Sequence, residues 1–160
     1  MNRLWLLACV LLLTACAART PLPDSSPALV APLPLSLQVS SADGQDWLLV
    51  IQAEGNSLRW SLFDPLGVPL ARQSLIAGAW HNDGLLPPNG EARELFAALL
   101  FALTPADQLA RNYAQADWQR QGSDGRQLAP NWRIQYRAPL AIRLDNGKQR
   151  YQVSPLETQP

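Results

Sequence analysis

The chain has 160 residues, with 13 Lys+Arg against 13 Asp+Glu, 14 Pro, 9 Gly, 6 Trp, 2 Cys and a single His. That length fits one domain with tails, and the zero formal charge argues against a nucleic-acid binder, which normally carries a basic excess. Two Cys and one His cannot supply the four ligands of a structural zinc site, and 48% hydrophobic residues exclude a disordered chain.

Met1-Asn2-Arg3 is a short basic start, and Leu4 to Leu13 is an uninterrupted apolar run. The run is too short to span a bilayer, which needs about 20 residues. It suits the h-region of a secretory signal over residues 1–15. It ends in Leu13-Thr14-Ala15-Cys16, small residues before a Cys, which is the pattern of a bacterial lipobox. On this reading the Cys16 thiol takes a diacylglyceryl group, the chain is cut before it, and the new amino group is acylated, as by palmitate. Cys9 is then an h-region residue lost with the signal peptide. Several acyl chains, at about 0.8 kcal/mol per buried methylene, make such an anchor effectively permanent. Ala17, not Asp, follows the Cys, which favours the periplasmic face of a Gram-negative outer membrane. The alternative is an ordinary signal peptide with a chance Cys.

Residues 16–34 follow as lipidated Cys and tether. Pro21, Pro23, Pro27, Pro32 and Pro34 fall among Ala, Ser and Leu without periodicity, so the spacing predicts an extended, semi-rigid stretch of about 3.1 Å per residue. The folded domain is expected over residues 35–154, with 155–160 as a tail.

Within that domain the pattern is antiparallel β with one helical insertion. Leu35 to Val39 alternates apolar and polar residues, Asp43-Gly44 is a turn, and Trp47 to Ala53 is nearly continuous apolar strand. Leu58, Trp60 and Leu62 alternate with Arg59 and Ser61; Pro65-Leu66-Gly67 turns the chain, and Val68 to Ile76 returns. Trp80 to Gly90 reads as loop. After the helices come a strand from Asp117 to Gln121, a turn at Gly122 to Gly125, and strands Trp132–Arg137 and Leu140–Leu144. Asn146-Gly147 is a strong hairpin signal, and Gln149 to Val153 closes the sheet. Seven or eight strands with short loops predict a mainly β fold, a curved sheet or open antiparallel barrel.

Asn89 caps the expected helix, with Glu91 and Glu94 at the positive end of its dipole. Leu95 to Leu103 is then nine apolar residues in a row. A surface helix would interrupt such a run with polar residues, so this one must be covered on more than one side. Either it plugs the concave face of the sheet as core, or it is a lid whose Leu95, Phe96, Leu99, Leu100 and Leu103 contact an acyl ligand. Thr104-Pro105 is expected to start a second short helix, with Thr104 as N-cap.

No catalytic constellation emerges. His81 lies in Trp80-His-Asn-Asp-Gly84 and reads as a turn residue, with no G-x-S-x-G elbow to give it a nucleophile. The carboxylates Asp43, Asp64, Asp83, Asp124 and Asp145 sit beside Gly, Pro or Asn, where Asp caps turns. No metal, cofactor or enzymatic activity is expected. Charge is uneven, however: residues 16–110 carry 4 basic and 9 acidic side chains, and residues 111–150 carry 8 and 3. Arg133, Arg137, Arg143 and Arg150 fall on the polar faces of the last strands, either as a solvated surface or as contacts for lipid headgroups or an acidic partner.

The order of these segments resembles a known family. An apolar strand, Leu58-Arg-Trp60, Leu62-Phe-Asp-Pro-Leu-Gly67 and a Leu-rich helix are followed by Thr104-Pro-Ala-Asp-Gln-Leu109. A Trp132-Arg-Ile-Gln-Tyr136 strand, Pro139-Leu-Ala-Ile-Arg-Leu144 and a basic hairpin complete the pattern. It is similar to the LolA/LolB lipoprotein carriers, in particular the outer-membrane receptor LolB, over residues 35–154. It also resembles a smaller class of proteobacterial lipoproteins encoded beside lipid and polyene biosynthesis genes. The resemblance implies an unclosed β-barrel with a helical lid, and a hydrophobic cavity for the acyl chains of client lipoproteins. It further implies a monomer that meets a periplasmic carrier protein, and an exposed leucine, here Leu66, that passes clients into the membrane. The expected function is binding or transfer of a hydrophobic, acylated ligand; the alternative is an adaptor that docks a protein partner through its basic sheet face.

Overall fold

The structure, a computed structural model, describes residues 19–156. The proposed signal segment and Cys16 lie outside the described residues. Ten strands form one antiparallel sheet: β1 (Leu35–Ser41), β2 (Asp46–Glu54), β3 (Ser57–Phe63), β4 (Pro69–Ile76), β5 (Ala79–Asn82), β6 (Trp118–Gln121), β7 (Gly125–Leu128), β8 (Trp132–Ala138), β9 (Ala141–Asp145) and β10 (Arg150–Pro155). Between β5 and β6 lie two short helices, α1 (Gly90–Leu103) and α2 (Leu109–Asn112). The spatial order is β5-β4-β3-β2-β1-β10-β9-β8-β7-β6. The first and last strands therefore pair at the centre, Val39 opposite Val153, and the sheet is not closed.

Alternation decides which face is buried. Leu37 and Val39, Leu49 and Ile51, Trp60 and Leu62, Ile134, Ile142, Leu144 and Val153 all turn to one side and join one core cluster. Most of their polar neighbours lie on the other face, as a strand's period of two requires, although Ser61 is covered there. The expected curved antiparallel sheet is therefore present, with ten strands where the patterning predicts seven or eight. The additional strands are β5, Ala-Trp-His-Asn, and β7, Gly-Arg-Gln-Leu, neither of which alternates apolar with polar residues.

α1 lies against the buried face and is the centre of the core. Asn89 accepts a hydrogen bond from the Ala92 N–H at 3.0 Å, the expected N-cap. From Leu95 to Leu103 no residue is more than 2% exposed. Phe96 packs on Trp60 of β3 and Trp80 of β5, at 5.5 and 6.0 Å between ring centres. Phe101 meets Tyr113 edge-on at 4.9 Å and Trp118 of β6 at 6.0 Å. The helix thus touches both ends of the sheet, which must curl around it.

The remaining side of α1 is covered by the Pro-rich segment, which corrects the expectation of a free tether over its described part, residues 19–34. Thr20 is 5% exposed. Its N–H donates to Glu94 of α1 at 2.9 Å, its hydroxyl also bonds Glu94, and that hydroxyl accepts from the Trp132 indole N–H at 2.7 Å. Asp24 N–H donates to the Asn112 carbonyl at 2.7 Å, and Val30 N–H to the Leu103 carbonyl at 2.9 Å. Leu22, Leu29, Ala31 and Leu33 pack on the core. An apolar helix with an uncovered side would be costly in water, and these leucines supply the cover.

Two local expectations also change. Thr104 does not cap a second helix; it follows α1, and its hydroxyl donates to the Leu100 carbonyl at 2.8 Å. His81 is not in a turn but in β5, exposed and paired with Ser74. No helix among the described residues is long and apolar enough to cross a membrane.

Candidate functional site

The antiparallel order places the β1–β2, β3–β4, β7–β8 and β9–β10 turns at one end of the strands. α1 starts at this end, because Tyr151, at the start of β10, donates its phenol hydrogen to Glu91 at 2.9 Å. The β3–β4 turn is tightly built. Asp64 accepts at one carboxylate oxygen from the N–H groups of Leu66 (2.9 Å) and Val68 (2.8 Å). The Gly67 N–H donates to the Asp64 carbonyl at 3.0 Å, and Gly67 itself has φ +80°. This is a type I turn closed by a left-handed residue, a conformation for which Gly is the natural choice. Leu66, at its tip, is 88% exposed, so it does not fold back on the sheet edge. Val68, next on the turn, and Leu85, in the loop between β5 and α1, are exposed as well.

Beside that turn the hairpin walls a cleft of about 260 Å³, with Leu62 and Leu70 on one side and Trp47, Leu95 and Tyr151 on the other. Across Trp47 and Tyr151 it adjoins a second cleft of about 390 Å³ whose rim carries Asp43, Asp145, Lys148 and Arg150. An apolar slot thus opens onto a charged rim. Burial, then the hydrogen bond to and the negative charge of Glu91, push the Tyr151 phenol above its ordinary range.

Of the four helix leucines and one phenylalanine expected to contact a ligand, only Leu95 lines this slot. Phe96, Leu99, Leu100 and Leu103 are at 0% exposure inside the core. α1 is therefore packing over most of its length and not a cover above a lumen. Arg133, Arg143 and Arg150 do come together, lining a cleft of about 320 Å³ on the outer face with Asp145 among them. Asp145 pairs with Arg150 at 3.3 Å and Arg133 at 3.7 Å. Hydrogen bonding from the Gly147 N–H, then these guanidiniums, hold its carboxyl below the usual range. Arg137 is not with them; it lies four residues along β8 from Arg133, about 13 Å at strand rise, and lines a different cleft.

Sequence reasoning missed Arg126 altogether. From β7 its guanidinium donates to the carbonyls of Phe101 (3.1 Å), Ala102 (3.4 Å) and Thr104 (2.9 Å) at the end of α1. It lies over the Tyr136 ring at 5.1 Å, and Tyr136 donates to the Ala102 carbonyl at 2.8 Å. Burial, partly offset by Arg126, pushes the Tyr136 phenol up to about 12; burial likewise raises Tyr113.

These phenols predict alkaline sensitivity. Each holds its proton more tightly folded than unfolded, so stability is intact below the unfolded value, about 10. It falls as pH rises from there through the folded value, by about 1.4 kcal/mol per pH unit for each phenol involved. Urea midpoints should drop above that point, and tyrosinate absorbance should rise with the unfolding. Equal midpoints on both sides of it would show the phenols to be free in the folded state.

The described residues define a class: an unclosed antiparallel sheet wrapped on a buried helix, with an exposed apolar turn at one end. No family model matches the chain, and no curated protein matches it. No group of metal-binding side chains occurs among the described residues.

Proposed function

We propose that the chain is a LolB-like, lipid-anchored protein on the periplasmic face of the outer membrane that binds or hands over a hydrophobic, acylated ligand. The observation that carries this reading is Leu66: a large apolar side chain held out at the tip of a rigid turn, where the turn itself needs no leucine. The slot between Leu62, Leu70 and Leu95 gives an acyl chain an apolar wall on the same hairpin. Thr20 adds orientation. It is fixed to Glu94, near the start of α1, and to Trp132, the first residue of β8, both towards the Leu66 end. Cys16 lies four residues before Thr20, at most about 3.6 Å each. Lipid on Cys16 therefore holds this end of the domain against the bilayer.

Leu66→Glu tests the reading. Its stability should stay within about 0.5 kcal/mol of the parent, as for a surface change, while transfer of a fluorescent acyl probe from the full chain to phosphatidylcholine vesicles falls several-fold. A loss of stability as large as that of a core substitution would make Leu66 packing and end the transfer role. For the anchor, Cys16→Ala should abolish palmitate labelling and leave the chain uncut; labelling that persists would refute lipidation.

A second reading is favoured by the filled core and by the cluster of Arg133, Arg143 and Arg150 around one carboxylate. In it the protein is an adaptor that docks an acidic partner through the outer sheet face. Lipid co-purifying with the protein separates the two, since the adaptor needs none.

A further inference from the structure

At the opposite end of the strands, the β6–β7 and β8–β9 turns wall a cleft of about 480 Å³, within the size range of small-molecule sites. Its apolar side is formed by Val30, Tyr136 and Pro139, and Arg120, Arg126 and Arg137 stand around it. None of the three guanidiniums has a carboxylate within ion-pair distance among the described residues. Asp124, also on the rim, makes no ion pair with any of them. Arg137 reaches this cleft because β8 bulges there: Tyr136 pairs with Ile142 and Ala138 with Ala141, leaving Arg137 without a partner, and a bulge re-aims a side chain. Arg126 is half-buried, and burial lowers its pKa first, with the neighbouring Arg120 charge acting in the same direction. Like charges gathered in a partly dry cleft are stabilised by an anion, and the guanidinium fork fits carboxylate and phosphate oxygens two at a time.

We propose that this cleft binds an anionic amphiphile, its carboxylate or phosphate head held by Arg120, Arg126 and Arg137 and its tail laid against Val30, Tyr136 and Pro139. The site is separate from the Leu66 end and goes beyond the function proposed above. In a chain anchored through Cys16 it opens away from the bilayer, so the ligand would arrive from the aqueous side.

The test uses the full chain in phosphatidylcholine nanodiscs and three photoreactive probes of equal length: a dodecanoate, a dodecyl phosphate and the methyl ester of the first. Both anionic probes should label peptides within residues 119–139, and the ester about tenfold less, because charged hydrogen bonds are lost with the anion. Labelling by only one anionic probe also upholds the site and assigns its head group. Arg120→Gln combined with Arg137→Gln leaves the helix contacts of Arg126 in place; it should cut labelling about tenfold without moving the thermal midpoint. Equal labelling by the ester, or labelling unchanged in the double variant, would overturn the proposal. So would labelling confined to the Trp47, Leu62 and Leu70 cleft, a result that leaves the function proposed above standing.

Discussion

Leu99→Ala should destabilise the protein by about 2–5 kcal/mol, and Leu99→Glu should leave no folded protein. Leu99 is at 0% exposure in the middle of α1, inside a core that joins the sheet to the helix on every side. The alanine leaves a void that the surrounding strands, tied by ladder hydrogen bonds, close only in part. The glutamate is worse, because it places a carboxylate among the apolar side chains of that core. An unpaired buried charge costs several kcal/mol, against a total stability of about 5–15 kcal/mol for a domain. Urea unfolding of the alanine variant and the yield of folded glutamate variant are the measurements. The comparison with Leu66→Glu matters most: the same chemical change should be silent at the exposed turn and fatal in the helix. A cost below about 1 kcal/mol for Leu99→Ala would mean that α1 faces open space after all, and the lid reading of this helix would return.

Much of the fold is legible in the sequence because its signals are local. The Asn89 cap, the apolar run after it, the Asn146-Gly147 hairpin and the Gly67 turn each depend on residues within a few positions of one another. The same holds for Leu66, whose exposure follows from its place at a turn tip. What the sequence hides is long-range. Thr20 meets its partners 74 and 112 residues away, and a Pro-rich stretch without periodicity gives no sign that its leucines have a helix to cover. Alternation puts the four arginines on one face, and it is correct for β8. Strand rise and the bulge at Arg137 then divide them between two clefts. β7 escaped for a related reason: Gly125-Arg-Gln-Leu128 shows no alternation, and its place in the sheet comes from pairing with β8.

The residue on that hidden strand carries the other large effect. Arg126→Met should cost about 2–4 kcal/mol, from the loss of hydrogen bonds by a charged donor and of a cation at a helix C-terminus. The last turn of α1 leaves its carbonyls without partners inside the helix, and its own sequence, Leu100-Phe-Ala-Leu103, offers no basic residue to meet them. Arg126 reaches three carbonyls there from a strand more than twenty residues later. Methionine is close in length to the aliphatic stem but lacks the guanidinium, which lies over the Phe101 and Tyr136 rings at 5.8 and 5.1 Å, so the measured loss belongs mainly to that group. Arg126→Lys should recover only part of it, since an ammonium has the charge without the planar fork that spans several acceptors. Urea unfolding orders the three proteins, and hydrogen exchange locates the effect: amides in the last turn of α1 should open more readily in the methionine variant than those near Asn89. If Arg126→Met costs no more than about 0.5 kcal/mol, the scale of an ordinary surface change, then the carbonyls are satisfied by water and Arg126 does not hold the end of the helix.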